Sequence, residues 1–219
     1  MPDGWYGSGA DPEVGAASMC AVGTRCDAAA VRETQQQLAE LQSLLDRSFE
    51  RASEHLKSIM EPQRRLSAER LVAELPSPAV LNIATVTARG EPRISAVDGH
   101  FLHGHWYFTT AAKSPKARQL RARPAISASY TPQDGYGVFC HGHVAELPPG
   151  DERQMVIDHF IETYGMSPED LADGIFYARI DADWLVGFAM TEDELAEIEQ
   201  AKREREARRA NRDVAAGTG

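Results

Sequence analysis

The 219-residue chain predicts a mainly β, α+β fold, a small antiparallel β-barrel with flanking helices and an added helix at each end. Short β-branched and apolar runs follow one another between residues 79 and 190, separated by turns that contain Gly or Pro. One helical pattern, at residues 114–122, lies in the middle of these runs, and a second, at 151–165, precedes the last of them. Short strands at this density with one inserted helix favour a small barrel over a βαβ array.

Composition and charge narrow the function classes. A net charge of −10 argues against general nucleic-acid binding, because neutralising phosphates requires concentrated Lys and Arg. No signal-peptide pattern and no run of about 18 apolar residues occurs, so a soluble, cytoplasmic protein without membrane association is expected. The three cysteines, Cys20, Cys26 and Cys140, match neither a disulfide framework nor a metal spacing, and are expected to be reduced thiols.

The N-terminal third contains two predicted segments. Residues 1–27 are rich in Gly, Ala and Asp without apolar periodicity, which predicts a disordered leader. Residues 28–62 predict a long amphipathic helix, because apolar residues recur at helical spacing until Pro62. Ser48 and His55 interrupt this narrow stripe, so a packing face is favoured over a coiled coil.

The central domain is predicted over residues 67–190. Ser67 is the expected N-cap of a short helix that ends before Pro76 and Pro78. Strands are then predicted over 79–88, 93–102, 106–110, 125–130 and 136–147, with the last strands within 175–190. An amphipathic helix is predicted over 151–165, with Gly165 as its stop.

Residues 191–219 predict a charged C-terminal helix and tail. Thr191 and Glu194 form a capping-box pattern at its start. Acidic and basic residues alternate beyond Ile198, which favours a solvated helix held by ion pairs over a nucleic-acid-binding arm.

The junction "TTAAKSPKARQL" (109–120) carries the clearest signal for chemistry. Ser114 is the expected N-cap and Pro115 the first helical residue of the inserted helix. Lys116 then places a cation in the first turn, where the helix dipole disfavours it unless an anion compensates. The junction alone leaves two interpretations open, a phosphate site or an exposed basic helix start.

The run "ATVTARGEPRISAVDG…WYFTTAAKSPKARQLRARPAISASY…GVFCHGHVAEL" resembles the flavin-binding split-barrel family. That family includes pyridoxamine 5'-phosphate oxidases and flavin/deazaflavin-dependent oxidoreductases. The likeness covers about residues 67–190 and implies a six-stranded antiparallel split β-barrel. It also implies an oxidoreductase that transfers hydride equivalents between its cofactor and a small organic substrate, with FMN or alternatively a deazaflavin coenzyme as cofactor.

The resemblance also assigns site residues and an assembly. Part of β-strand 93–102 is expected to line the isoalloxazine, and the 109–120 junction to bind the phosphate tail. The residues are Ser95, Ala96 and Val97 for the ring, and Thr109, Thr110, Ser114 and Lys116 for the tail, with Arg118 as a weaker addition. A homodimer with the cofactor at the subunit interface is implied as well.

Three departures argue against vitamin B6 oxidation. Ser95 stands where pyridoxamine 5'-phosphate oxidases have Arg, Gly137 lies near the position of a Gln, and no Arg-Leu-His motif follows Trp184. The pattern of Ser95 with a Ser-x-Lys-x-Arg helix start is more similar to the flavin/deazaflavin oxidoreductase branch.

Five histidines cluster in "HFLHGHW" and "CHGH", at positions 100, 103, 105, 141 and 143. Surface or hydrogen-bonded roles are favoured for them, followed by polar groups in a substrate pocket, for which His141 is the candidate. A haem or metal site is least favoured because no Asp, Glu or Cys lies at supporting spacing, so no metal is predicted. No catalytic residue is assigned, since the isoalloxazine supplies the reactivity. The alternative function is a noncatalytic flavin or haem binder that acts as carrier, sensor or scaffold.

Overall fold

The computed structural model describes residues 33–216, which contain a closed barrel of six antiparallel strands and the helices around it. The strands are β1 (Ala79–Val86), β2 (Pro92–Leu102), β3 (His105–Ala111), β4 (Ala125–Tyr130), β5 (Tyr136–Glu146) and β6 (Ile175–Ala189). The helices are α1 (Gln35–Glu50), α2 (Glu54–Ile59), α3 (Ala68–Glu74), α4 (Pro115–Ala122), α5 (Asp151–Tyr164) and α6 (Glu192–Ala216). The predicted barrel with flanking and terminal helices is confirmed. The predicted leader, with Cys20 and Cys26, lies outside the described residues.

The strands follow one another around the barrel in the order β1-β2-β3-β6-β5-β4. β1 pairs with β2 along its whole length, from Ala79 with Gly99 to Val86 with Pro92. The ladder between β2 and β3 is much shorter, and runs only from Leu102 with His105 to Gly99 with Phe108. Beyond Gly99 and Phe108 the two strands separate, which leaves a gap in the barrel wall.

The core fills the inside of the barrel. Trp106 and Phe108 of β3 and Leu81 and Ile83 of β1 project inward and are fully buried, as the two-residue period of a strand requires. A second, smaller cluster lies outside the barrel under α5, where Leu102, Tyr107, Leu147, Val156 and Tyr177 pack together. The helix α5 therefore covers one part of the outer barrel surface.

The prediction of one continuous helix over residues 28–62 is wrong for the part that the structure describes, from residue 33 onward. α1 ends at Glu50, and α2 begins four residues later with Ser53 as N-cap, whose Oγ accepts a hydrogen bond from the Leu56 N–H. The break occurs because Ser53 competes for the backbone N–H groups that a continuous helix would bury. The packing face of α1 itself is confirmed, since Leu38, Leu41 and Leu45 are buried against the barrel.

The other predicted helix boundaries agree with the structure. Ser67 caps α3, and Gly165 ends α5 in the left-handed conformation with a φ of 72°. Thr191 and Glu194 form the predicted capping box of α6, with hydrogen bonds of 2.8 and 3.3 Å. Within residues 33–216, no helix is both long and apolar enough to cross a membrane.

Candidate functional site

The start of α4 is built as the sequence predicts. Ser114 is the N-cap, and its Oγ accepts a hydrogen bond of 3.2 Å from the Ala117 N–H. The Thr110 hydroxyl donates to the same Oγ at 3.4 Å, which joins the end of β3 to the helix start. Because Ser114 Oγ accepts both bonds, its own O–H proton stays available to an outside acceptor.

Lys116 lies in the first turn of α4 and has no counter-charge. No acidic residue occurs in that turn, and Lys116 forms no ion pair or hydrogen bond with any residue between 33 and 216. Its backbone N–H likewise has no acceptor there, because it belongs to the helix terminus. A cation and free donors therefore lie together at the positive end of the helix dipole, an arrangement that favours a bound anion.

Arg118, the weaker candidate for the phosphate tail, contacts the loop that precedes α4. Its guanidinium Nη1 donates to the Lys113 carbonyl at 2.6 Å, so it closes the loop before α4. Arg121, which was not predicted to have a role, forms a two-bond ion pair with Glu146 and also donates to the Ala112 carbonyl at 2.8 Å. Both arginines therefore brace the loop that positions Lys116.

α4 is anchored to the barrel on its other side. Thr85, which is 1% exposed, donates from its hydroxyl to Gln119 Oε1 at 2.6 Å. The Arg123 Nε donates to the Val86 carbonyl at 3.2 Å. These contacts fix α4 against the end of β1.

The three residues predicted to line a flavin ring lie beside this gap. Ser95, Ala96 and Val97 pair with β1 on one side, opposite Ile83, Asn82 and Leu81. On the other side they lie beyond the last pair with β3, so their main-chain groups on that edge have no strand partner among the described residues. The three side chains do not share one face, because Val97 is buried inside the barrel whereas Ala96 is exposed outside.

A shallow groove crosses the outer surface of β1, β2, β4 and β5 and encloses about 180 Å³. Its lining is apolar or neutral and includes Ala84, Ile94, Ser127, Phe139 and His141. Ile94 is 78% exposed, and Val80 on the same outer surface is 63% exposed. The apolar surface left uncovered here is unusual for a sheet that faces water.

His141, the predicted substrate-pocket residue, lies in that groove. Its ring stacks on Trp184 with centroids 4.8 Å apart, and its Nδ1 is 2.9 Å from Ser127 Oγ. His143 and His105 instead lie beside Asp183 and Asp181 at the surface. Within the described part of the chain, no group of three His, Cys, Asp or Glu side chains is arranged to hold a metal ion.

A polar cluster under α5, centred on the buried His100 and His159, was missed by the sequence reasoning. His100 Nδ1, His159 Nε2 and Ser77 Oγ lie 3.0 to 3.1 Å from one another. Burial, with the neighbouring His159 as a smaller cause, lowers the pKa of His100 from 6.5 to about 4, so its imidazole is neutral. The signal available in the sequence was the position of His159 on the buried stripe of α5, between Val156 and Phe160.

The hydrogen bonds of this cluster can run in one direction. The Tyr164 O–H donates to Asp98 Oδ2 at 3.1 Å, so its oxygen is left to accept from His100 Nε2–H at 3.5 Å. His100 Nδ1 then accepts from the Ser77 hydroxyl, whose oxygen accepts from His159. This order pairs every buried group and ends on the exposed carboxylate of Asp98.

The chain matches the family model described as pyridoxamine 5'-phosphate oxidase over residues 67–200, which is more than half of its length. This chain belongs to the pyridoxamine 5'-phosphate oxidase family. The match confirms the resemblance to flavin-binding split barrels, and its boundaries contain the barrel, α4 and α5. No curated protein sequence matches the chain.

Comparison with solved structures finds similar chains. A conserved hypothetical protein from Mycobacterium tuberculosis superposes with a TM-score of 0.50 at 18% identity, covering 59% of this chain and 88% of that one. An FAD-binding protein from Mesorhizobium loti gives 0.47 at 20% identity, with coverages of 59% and 97%. An F420 reductase gives 0.42 at 23% identity, with coverages of 49% and 89%. At these identities the likeness concerns the fold.

Proposed function

We propose that this member of the pyridoxamine 5'-phosphate oxidase family is a cytoplasmic oxidoreductase that binds FMN or a deazaflavin coenzyme and acts on a small organic substrate. The observation that carries the proposal is the start of α4. Lys116 and its backbone N–H have no partner among the described residues, and the free proton of Ser114 lies in the same turn. These donors suit a phosphate, which accepts several charge-assisted hydrogen bonds at once.

The ring of the cofactor would lie along the edge of β2 that faces the gap. The backbone groups of Ser95, Ala96 and Val97 on that edge have no strand partner within residues 33–216, and a flavin ring presents both donors and acceptors along its polar edge. The buried Val97 side chain keeps this part of the strand rigid. In this proposal the donors at the start of α4 hold the phosphate tail and the unpaired edge of β2 holds the ring.

The bound cofactor supplies the hydride chemistry, so no side chain has to act as an acid or base. The chain binds the tail through Lys116, orients the ring along β2 and limits access of water from inside the barrel, where Trp106 and Phe108 fill the space. Thr109 and Thr110 border the tail at the end of β3.

A homodimer is part of the proposal. The outer groove and the adjoining surface expose Ile94 and Val80, and an apolar surface of this kind is typical of an interface between subunits. A second copy that covers it would bury these side chains and would also cover the exposed edge of a ring lying along β2.

Lys116→Ala tests the phosphate site, with Lys113→Ala as matched control, since Lys113 is an exposed lysine three residues away. The dissociation constants of FMN and of a deazaflavin are measured by fluorescence titration. Loss of one charge-assisted contact should weaken binding by about tenfold to a hundredfold in Lys116→Ala and leave Lys113→Ala near wild type. Equal dissociation constants in all three proteins would remove Lys116 from the site.

Turnover separates an enzyme from a carrier. The reduced holoprotein is mixed with electron acceptors without oxygen, and reoxidation of the cofactor is followed by absorbance. An oxidoreductase is reoxidised at a rate that rises with acceptor concentration. A holoprotein that no acceptor reoxidises would be a flavin carrier or sensor, and one that binds haem but no flavin would be a haem-binding member of the fold.

A further inference from the structure

The outward-facing side chains of β2 are exposed as far as Asp98 and covered beyond it. Ile94, Ala96 and Asp98 project from the barrel and are exposed, whereas the next two outward residues, His100 and Leu102, are covered by α5. Outward neighbours on a strand are about 7 Å apart. Asp98 therefore lies at the edge of the open surface, one step beyond the Ala96 backbone that the proposed function places against the ring.

Asp98 is held in place by the buried cluster behind it. Tyr164 O–H donates to Asp98 Oδ2 at 3.1 Å, and the phenol oxygen in turn lies 3.5 Å from His100 Nε2. His100 is fixed by Ser77 and His159. An exposed carboxylate normally samples several rotamers. Here the hydrogen bond from Tyr164, which is itself supported by His100, Ser77 and His159, holds the carboxylate in one position.

Within a single subunit, Asp98 also supplies the charge of this surface. The groove is lined by aliphatic side chains, hydroxyls, an amide, Phe139 and His141, and Asp98 is the charged residue among these and the outward side chains of β2. The guanidinium of Arg93, at the start of the same strand, is neutralised by Glu91 at 2.8 Å. Two further carboxylates, Asp158 and Glu162, line a cleft beside His159 on α5.

We propose that Asp98 is the specificity-determining residue of the substrate site, and that it selects substrates with a positive charge or N–H donors over anions. The inference rests on the proposed function, since it places the substrate against the ring. A carboxylate attracts a cation and repels an anion, and neither the groove lining nor the outward row of β2 contains a Lys or Arg that offsets it. An anionic phosphate ester is thus a poor substrate for this site.

The role of Asp98 involves no bond making. The acceptor takes a hydride, which carries two electrons, from the reduced cofactor, and an anionic acceptor takes one further proton from water. Asp98 exchanges no proton in this step and acts through its charge alone. Tyr164 is a positioning residue, because it acts on the substrate only through Asp98.

Two planar dyes of opposite charge provide the test, methylene blue as cation and dichlorophenolindophenol as anion at pH 7.5. The holoprotein is reduced with one equivalent of dithionite and mixed with each dye anaerobically in a stopped-flow instrument. The second-order rate constant is measured for both dyes, and the cation-to-anion ratio is formed for each variant. Intrinsic dye reactivity cancels when a variant is compared with wild type.

Asp98→Asn should lower this ratio about twenty-five-fold and Asp98→Lys by roughly several hundredfold, because a charge contact near 4 Å in water changes each dye's rate about fivefold and in opposite directions. Tyr164→Phe should lower it by less than Asp98→Asn. Asp193→Asn, which removes an exposed carboxylate on α6, should leave it unchanged. The effect of Asp98→Asn should shrink in 0.5 M salt, as expected for a charge effect.

A ratio that stays at the wild-type value in both Asp98→Asn and Asp98→Lys would overturn the inference, and so would a ratio that rises. Cofactor titration of every variant precedes the kinetics. If wild type binds neither FMN nor deazaflavin, the proposed function fails first and the inference fails with it. If all variants bind the cofactor equally and only the ratio is unmoved, the proposed function stands and the assignment of Asp98 is wrong.

Discussion

Two helices contact the barrel in opposite ways. Under α5, the polar groups of His159, Ser77, His100 and Tyr164 are paired with one another, and the helix covers the outer face of β2 at His100 and Leu102. At the start of α4, Lys116 and its backbone N–H have no partner within the described chain. The polar groups under α5 are hydrogen-bonded within the protein, whereas the donors at the start of α4 have no acceptor among the described residues.

The difference distinguishes polar groups that stabilise the fold from polar groups that are available to bind a ligand. A buried donor or acceptor costs free energy unless it is paired, so the cluster under α5 has to be complete before any ligand binds. A cation at a helix N-terminus is disfavoured until an anion binds beside it. Pairing inside the protein is therefore a better guide to function here than the number of histidines.

The largest predicted effect concerns the paired region and acidic pH. The pKa of His100 is 6.5 in an unfolded chain and about 4 when folded, so only the unfolded state takes up this proton between those values. The contribution of His100 to the free energy of unfolding should therefore be complete above pH 6.5. The free energy of unfolding should fall by roughly 2 to 3 kcal/mol as the pH drops to 4.

Urea unfolding between pH 4 and 7 measures this dependence in His100→Gln and in His55→Gln, which changes an exposed histidine on α2. His100→Gln should lose this part of the slope, and His55→Gln should keep it. Equal slopes in His100→Gln and wild type would show that the buried cluster does not favour the neutral imidazole.

The next effect concerns the anchor of α4. Thr85→Val removes the hydroxyl that donates to Gln119 and leaves a half-buried amide oxygen without its partner. The free energy of unfolding should fall by about 1 to 2 kcal/mol. Cofactor binding should weaken as well, since α4 carries Lys116. A variant that loses stability but binds cofactor as wild type does would show that the anchor does not position the phosphate site.

A smaller effect of opposite sign is expected at the unpaired region. Lys116→Gln removes a cation from the positive end of α4, so the cofactor-free protein should become more stable by about 0.3 to 1 kcal/mol. The same variant should be less stable than wild type once cofactor saturates both. Thermal unfolding with and without FMN measures both signs, and destabilisation of the cofactor-free variant would indicate that Lys116 has a structural partner.

The smallest predicted effect concerns the buried thiol of Cys140, which should not react while the protein is folded. Burial raises the pKa of the Cys140 thiol from 9.0 to about 12, so almost no thiolate forms at neutral pH. In a Cys20→Ser/Cys26→Ser variant, Ellman's reagent should label Cys140 only after denaturation. Rapid labelling of the folded variant would show that the barrel interior opens.

Much of the fold was predictable because its signals are local. Strand periodicity, the Ser114-Pro115 helix start and the Gly165 stop each depend on a few adjacent residues. The break between α1 and α2 was missed because Ser53 lies within a continuous apolar stripe, and a cap inside such a stripe is hard to recognise.

The site was predictable only in part, since its geometry depends on contacts between distant elements. The unpaired state of Lys116 follows from its neighbours in sequence, whereas the role of Arg118 depends on how the loop closes on the Lys113 carbonyl. The cluster of Ser77, His100 and His159 joins three elements up to 82 positions apart, so no spacing in the sequence could reveal it.

The central claim is that the start of α4 binds the phosphate of a flavin-type cofactor. The most direct measurement compares FMN with riboflavin, and a deazaflavin with its phosphate-free chromophore, in binding to the wild-type protein and to Lys116→Ala. Wild type should bind the phosphorylated member of at least one pair about tenfold or more tightly, and Lys116→Ala should lose that preference. Equal binding of both members of each pair by wild type, or no binding at all, would contradict the account.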